Sequence, residues 1–104
     1  MRARDHASRH FDEMSRFASK LADVGGQVLD YSYSYLSLGS WTMRFRRKRT
    51  NFRLAYDGQK QTHVLEQSSR GPSPRTWTTI WRQASLNTEP PPDVFDAIVD
   101  ASAG

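Results

Sequence analysis

Between residues 41 and 56, apolar and polar side chains alternate with a period of two. Trp41, Met43 and Phe45 are interleaved with Thr42, Arg44 and Arg46, and Phe52, Leu54 and Tyr56 with Arg53 and Ala55. Such alternation puts every second side chain on one face of a pleated strand. Pairing Phe45 with Phe52, Met43 with Leu54 and Trp41 with Tyr56 keeps the apolar residues on one side, so the two strands form a hairpin. The connection then covers residues 46–51. It contains no glycine, so a two-residue primed turn is not expected, and Asn51 is the candidate for a positive φ. Asp57-Gly58 signals a second, two-residue turn. It pairs Tyr56 with Gln59, Leu54 with Gln61 and Phe52 with His63, and sends His63 and Leu65 inward. Gln61 and His63 suit a core poorly, so a bulge or an edge position is expected there.

The flanking segments change period. Phe11, Met14, Phe17, Ala18, Leu21 and Val24 recur at three- and four-residue steps, which predicts a helix over residues 8–24 capped by Asp5 or Ser8. Asp12 and Arg16 form a favourable pair on its polar side. Gly25-Gly26 ends it, because glycine takes the left-handed cap conformation at low cost. Over residues 28–38, Leu29, Tyr31, Tyr33 and Tyr35 alternate with Asp30, Ser32 and Ser34, which predicts a strand with a tyrosine row facing the core. Residues 37–40 supply a turn. After a loop at residues 68–74, two templates compete. Ser73 and Pro74 resemble a helix start, and Trp77, Ile80, Trp81 and Ala84 have helical spacing, so a helix over residues 74–86 is the expected form. The Thr76, Thr78, Thr79 and Ile80 content argues for a fifth strand, with Trp77, Thr79 and Trp81 on one side. Past the Glu89-Pro-Pro-Pro connector, Asp93 opens a final helix with Val94, Phe95, Ile98 and Val99 on one stripe.

The expected architecture is α+β in two layers. It has an N-terminal helix, a four-stranded and possibly five-stranded antiparallel meander, and one or two C-terminal helices packed on one sheet face. Residues 1–7 are expected to be a disordered N-terminus and residues 8–104 a single domain.

Composition narrows this picture. The chain has 104 residues, 37% hydrophobic and 12% aromatic, which suits one domain whose core relies on large rings. Cysteine is absent, which excludes disulfides and thiolate chemistry. No signal-peptide core and no window near 18 apolar residues is visible, so no membrane partner and a cytoplasmic location are expected. The net charge of +4 is uneven. Residues 1–82 carry all 15 Lys and Arg against seven acids, and residues 83–104 carry four acids and no base. An acidic final helix folding back over a basic ribbon is one expectation this raises.

Six basic residues fall within ten positions: Arg44, Arg46, Arg47, Lys48, Arg49 and Arg53. In the hairpin register above, Arg44 and Arg53 lie opposite each other on the polar face, where like charges repel. An anion between the guanidinium groups relieves that repulsion, so the six are the expected anion-binding residues. Trp41, Phe45 and Phe52 alternate away from them, which points to phosphate contact without base stacking. The competing reading is a solvated edge whose charges block aggregation. His6 and His10 are four apart, a spacing used by metal ligands, but no third ligand accompanies them and no metal is assigned. His63 stands alone. No nucleophile elbow, phosphate-binding glycine loop or zinc pattern is present, so no catalytic residue and no cofactor is assigned. The expected function is a binding module, not an enzyme, whose basic hairpin contacts a polyanion such as nucleic acid. The alternative is a protein-interaction or self-association domain, such as a homodimer, using the same ribbon or Trp77 and Trp81 on an acidic partner.

Overall fold

The computed structural model describes residues 3–34, 39–68, 76–85 and 89–103. Helix α1 spans Ala3–Asp23, so it starts five residues earlier than the stripe from Phe11 suggests, and Asp5 and Ser8 lie inside it. It stops as expected at the glycine pair. Gly25 has φ 86°, and its N–H donates to the Ala22 carbonyl at 3.0 Å. Gly26 is needed for a different reason: a Cβ there would lie 2.5 Å from Leu21 Cγ and 3.0 Å from the Leu21 carbonyl oxygen. The chain can therefore turn directly from α1 into strand β1, Gly26–Ser34.

Strands β2 (Ser40–Arg47), β3 (Thr50–Asp57), β4 (Thr62–Ser68) and β5 (Trp77–Ala84) follow. All pair antiparallel in one open sheet of order β1-β2-β3-β4-β5. Helix α2, Asp93–Ala101, closes the chain. Among the described residues no helix is long and apolar enough to cross a membrane.

The β2–β3 register matches the alternation pattern, with Trp41 opposite Tyr56, Met43 opposite Leu54 and Phe45 opposite Phe52. Its connection is tighter than the sequence suggests. Pairing continues to Arg47 opposite Thr50, which leaves Lys48 and Arg49 as a two-residue turn. The positive φ falls on Lys48, at 55°, while Asn51 is a buried strand residue. The Asp57-Gly58 turn also differs. Residues 58–61 form a four-residue connection in which Asp57 Oδ1 accepts from the Gln59 and Lys60 amides at 2.9 and 3.1 Å, and Gln61 has φ 52°. Tyr56 therefore faces His63, and Leu54 faces Leu65. The register moves by four residues. An even shift preserves the faces, so His63 and Leu65 still point inward.

The segment expected to be helical is strand β5. The free edge of β4 offers it a hydrogen-bonded ladder, and its threonines and Ile80 are β-branched, which suits that ladder. A bulge explains why neither sequence template fits. Thr79 pairs with Glu66 and Trp81 with Leu65, leaving Ile80 as an extra residue. Trp77 and Trp81 consequently lie on opposite faces. The Ser73 and Pro74 cap lies outside the described residues. A second bulge interrupts β1: Val28 faces Phe45 and Asp30 faces Arg44, so Leu29 drops out of the row and is exposed. Tyr31 and Tyr33 stay on the core side, opposite Met43 and Trp41. Tyr35 is outside the described residues.

Met14, Phe17 and Leu21 of α1 and Val94 and Ile98 of α2 join the inward residues of β2, β3 and β4 in one buried cluster. Phe17 meets Phe95 with ring centroids 5.2 Å apart, which couples the two helices directly. Because Gly26 lies against the buried Leu21, Gly26→Ala should lower unfolding stability by about 1–3 kcal/mol. Gly25→Ala should cost less than that, about 1 kcal/mol from its backbone conformation alone. Urea titration of the two variants checks the order.

Candidate functional site

The pairing sets out the polar face of the sheet as rows running across the strands. One row is Gln27, Arg46, Asn51, Ser68 and Trp77. The next is Asp30, Arg44, Arg53, Glu66 and Thr79. A third holds Ser32, Thr42, Ala55, Val64 and Arg82. Among the described residues, the buried helix side chains all belong to the opposite face.

The middle row resolves the repulsion between Arg44 and Arg53, which do face each other. Each has a carboxylate on its outer side. Arg44 Nε donates to Asp30 Oδ2 at 2.7 Å, with Nη2 donating to the same oxygen. Arg53 Nε donates to Glu66 Oε1 at 2.8 Å. The charge order across four strands is negative, positive, positive, negative, so the chain itself supplies the anions. Hydrogen bonding from Arg44 holds the Asp30 carboxyl below its usual range, and Asp30 raises Arg44 in turn. A carboxyl lowered by folding stabilises the native state at neutral pH, and the contribution fades as pH falls through its folded value. Both side chains are about half exposed, so solvent keeps the effect small.

Arg47 is also committed to the fold. Its Nε donates to the Val24 carbonyl at 2.6 Å, just past the end of α1, and its Nη1 donates to Ser102 Oγ at 2.8 Å, at the cap of α2. A cation here meets the negative ends of both helices. It is also where the C-terminal segment reaches the basic hairpin. Contact is made by the hydroxyl and carbonyl oxygens of Ser102, not by a carboxylate. Among the described residues, the ion pairs of the hairpin arginines run to Asp30 and Glu66, while Asp93, Asp96 and Asp100 of α2 are exposed.

Arg46, Lys48 and Arg49 are different. All three are exposed, and among the described residues no carboxylate pairs with them. Arg46 Nε donates to the neutral Asn51 Oδ1 at 3.2 Å. Lys48 holds a backbone conformation that suits glycine, so a cation sits where the turn itself would favour a residue without Cβ. The structure thus divides the six candidate residues: Arg44, Arg47 and Arg53 are tied into the fold, and Arg46, Lys48 and Arg49 form an open, positive tip.

Two further residues belong to the polar face and are not part of the basic run. Arg82 is exposed in the third row. Trp77 is half-buried at the far edge, with the Arg53 guanidinium carbon 4.5 Å from its ring centroid. The β-branched content of residues 76–80 signalled this strand, but the bulge that puts Trp77 on the polar face had no signal.

The histidines lie elsewhere. His10 is buried, stacks on Tyr33 with centroids 4.1 Å apart, and shares a hydrogen bond through Nε2 with the Tyr31 hydroxyl. Burial pushes the titration of the Tyr31, Tyr33 and Tyr56 hydroxyls up. His63 is buried in an interior strand, not at an edge, with its ring 4.6 Å from Tyr56 and 6.0 Å from Trp41. Among the described residues no group of three His, Cys, Asp or Glu is placed to hold a metal. A cleft of about 360 Å³ lies between α1, the end of β5 and the proline connector, lined by Phe17, Lys20, Gln83 and Phe95 among others.

The fold and this site define a small α+β sheet protein with one charged face that no helix covers among the described residues. Compared with protein-family models, curated proteins and solved structures, the chain matches none of them.

The division of the cations has a measurable consequence. Arg47→Ala should destabilise by about 1–3 kcal/mol, because it strips charged hydrogen bonds from the ends of both helices. Lys48→Gly should instead stabilise, by up to about 1 kcal/mol, by relieving its left-handed backbone. Thermal and urea unfolding of the two variants should therefore shift in opposite directions.

Proposed function

We propose that the chain is a small binding module whose basic hairpin contacts a polyanion, with nucleic-acid phosphates as the intended target. One observation carries the reading: cations that the fold uses have partners inside the chain, whereas Arg46, Lys48 and Arg49 cluster at the hairpin end with, among the described residues, no carboxylate paired to them. Clustered exposed cations raise the local concentration of a polyanion and bind it by releasing its counterions. Solubility alone would be served by Arg44 and Arg53, and it does not require a lysine in a glycine-like conformation. Arg82 and the matched pairs around Arg44 and Arg53 extend the surface over the sheet. There a phosphate can compete with Asp30 for Arg44, because that pair is solvent-exposed.

Affinity for a 20-nucleotide DNA should fall steeply with salt, by roughly tenfold or more between 50 and 200 mM. Replacing Arg46, Lys48 and Arg49 together by Ala should flatten the slope of log K against log salt by about two to three. Fluorescence anisotropy across a salt series measures both. A flat salt response in the native chain, or an unchanged slope in the triple variant, counts against the reading.

A further inference from the structure

The polar face carries an aromatic ring that the hairpin alone does not supply. Trp77 is on edge strand β5, in the same cross-strand row as Arg46, and its ring lies against Arg53 of the neighbouring row. From β2 to β5 is three strand spacings, roughly 14 Å. Between them in that row Asn51 and Ser68 are buried, so a chain reaching from the hairpin tip past Arg46 to Trp77 runs over the neighbouring row, beside Arg53. Phosphate-binding cations at one end and a π-face beside a guanidinium at the other are the two components of sequence-tolerant single-strand binding. A duplex uses the first component and cannot use the second, since its bases are already paired and stacked. The other two tryptophans serve elsewhere: Trp41 is buried in the core and Trp81 packs against it.

We propose that this face prefers single-stranded nucleic acid, with the backbone held over Arg46 and the Lys48 and Arg49 tip and one base stacked at Trp77 beside Arg53. The proposal rests on the polyanion reading above and adds a base contact to it. Arg53 has two alternative roles in such a complex. It can remain on the indole while the base takes the ring's other side, or it can move to a phosphate and leave its place to the base. Glu66 holds the guanidinium nearby in either case.

The test uses the full chain with three probes: oligothymidylate of 20 nucleotides, a DNA duplex of the same length, and inorganic polyphosphate. Expected results are tighter binding of the single strand than of the duplex, and quenching of tryptophan fluorescence by the oligonucleotide but not by polyphosphate. Trp77→Ala should weaken single-strand binding about 5- to 100-fold, the equivalent of one lost base stack. The same variant should leave polyphosphate affinity unchanged, and Trp77→Phe should retain most single-strand affinity. Circular dichroism establishes that the variants are folded. If Trp77→Ala fails to fold, Trp77→Phe and the quenching comparison in the native chain still decide. Equal affinity for single strand and duplex, equal quenching by polyphosphate, or a Trp77→Ala loss of the same size on all three probes overturns the base contact and leaves the polyanion reading standing. Failure to bind any of the three overturns both.

Discussion

Phe45 and Phe52 stack across the central hairpin with centroids 5.1 Å apart, and neither is exposed to solvent. The rest of the molecule depends on this contact. Once it is formed, the period of two dictates that Met43, Trp41, Leu54 and Tyr56 follow it inward and that Arg44, Arg46 and Arg53 go outward. The inward side must then be covered, because a five-stranded sheet with one wet aromatic face is unstable. The helices at the two ends of the chain provide that cover, Phe17 and Phe95 meeting each other over the sheet.

Covering one face leaves the other with a concentration of positive charge that has to be managed. The arginines are handled in three ways. Arg44 and Arg53 are matched by carboxylates one strand further out. Arg47 is used as a clasp, meeting the ends of both helices where their carbonyl dipoles converge. The tip is left open. This pattern separates structural from available cations more clearly than the count of basic residues does. It also ties the hairpin to the helices, because the residue next to the open tip is the one that holds the helix ends.

How much of this could be read in the chain depends on the range of the interaction. The alternation in β2 and β3 is a local pattern with one self-consistent pairing, so that hairpin register was legible residue by residue. Met14, Phe17 and Leu21 of the α1 stripe and its glycine stop were legible for the same reason, whereas Phe11, the first residue of that stripe, is exposed. The β3–β4 turn was not, because Asp57-Gly58 suits a two-residue turn locally. The observed turn is four residues long and brings Tyr56 opposite His63 and Leu54 opposite Leu65. The segment at 77–84 has the spacing of a helix and folds as a strand, because a bulge at Ile80 erases the period on which strand recognition rests. Of the candidate site, the six basic residues were legible as a cluster. Their division was not, since Asp30, Glu66, Val24 and Ser102 lie on other elements.

By itself the sequence determined helix α1, the strands of the central hairpin and their two faces, and the excess of positive charge on one of those faces. These follow from side-chain spacing within a few residues. Only the tertiary structure decided which cations have, among the described residues, no carboxylate partner, that Trp77 joins them on the polar face, and that the clasp on the helix ends is Arg47. Those outcomes depend on which distant partner reaches a given side chain. That is settled when strands register against one another and helices dock, and no local pattern in the chain encodes it.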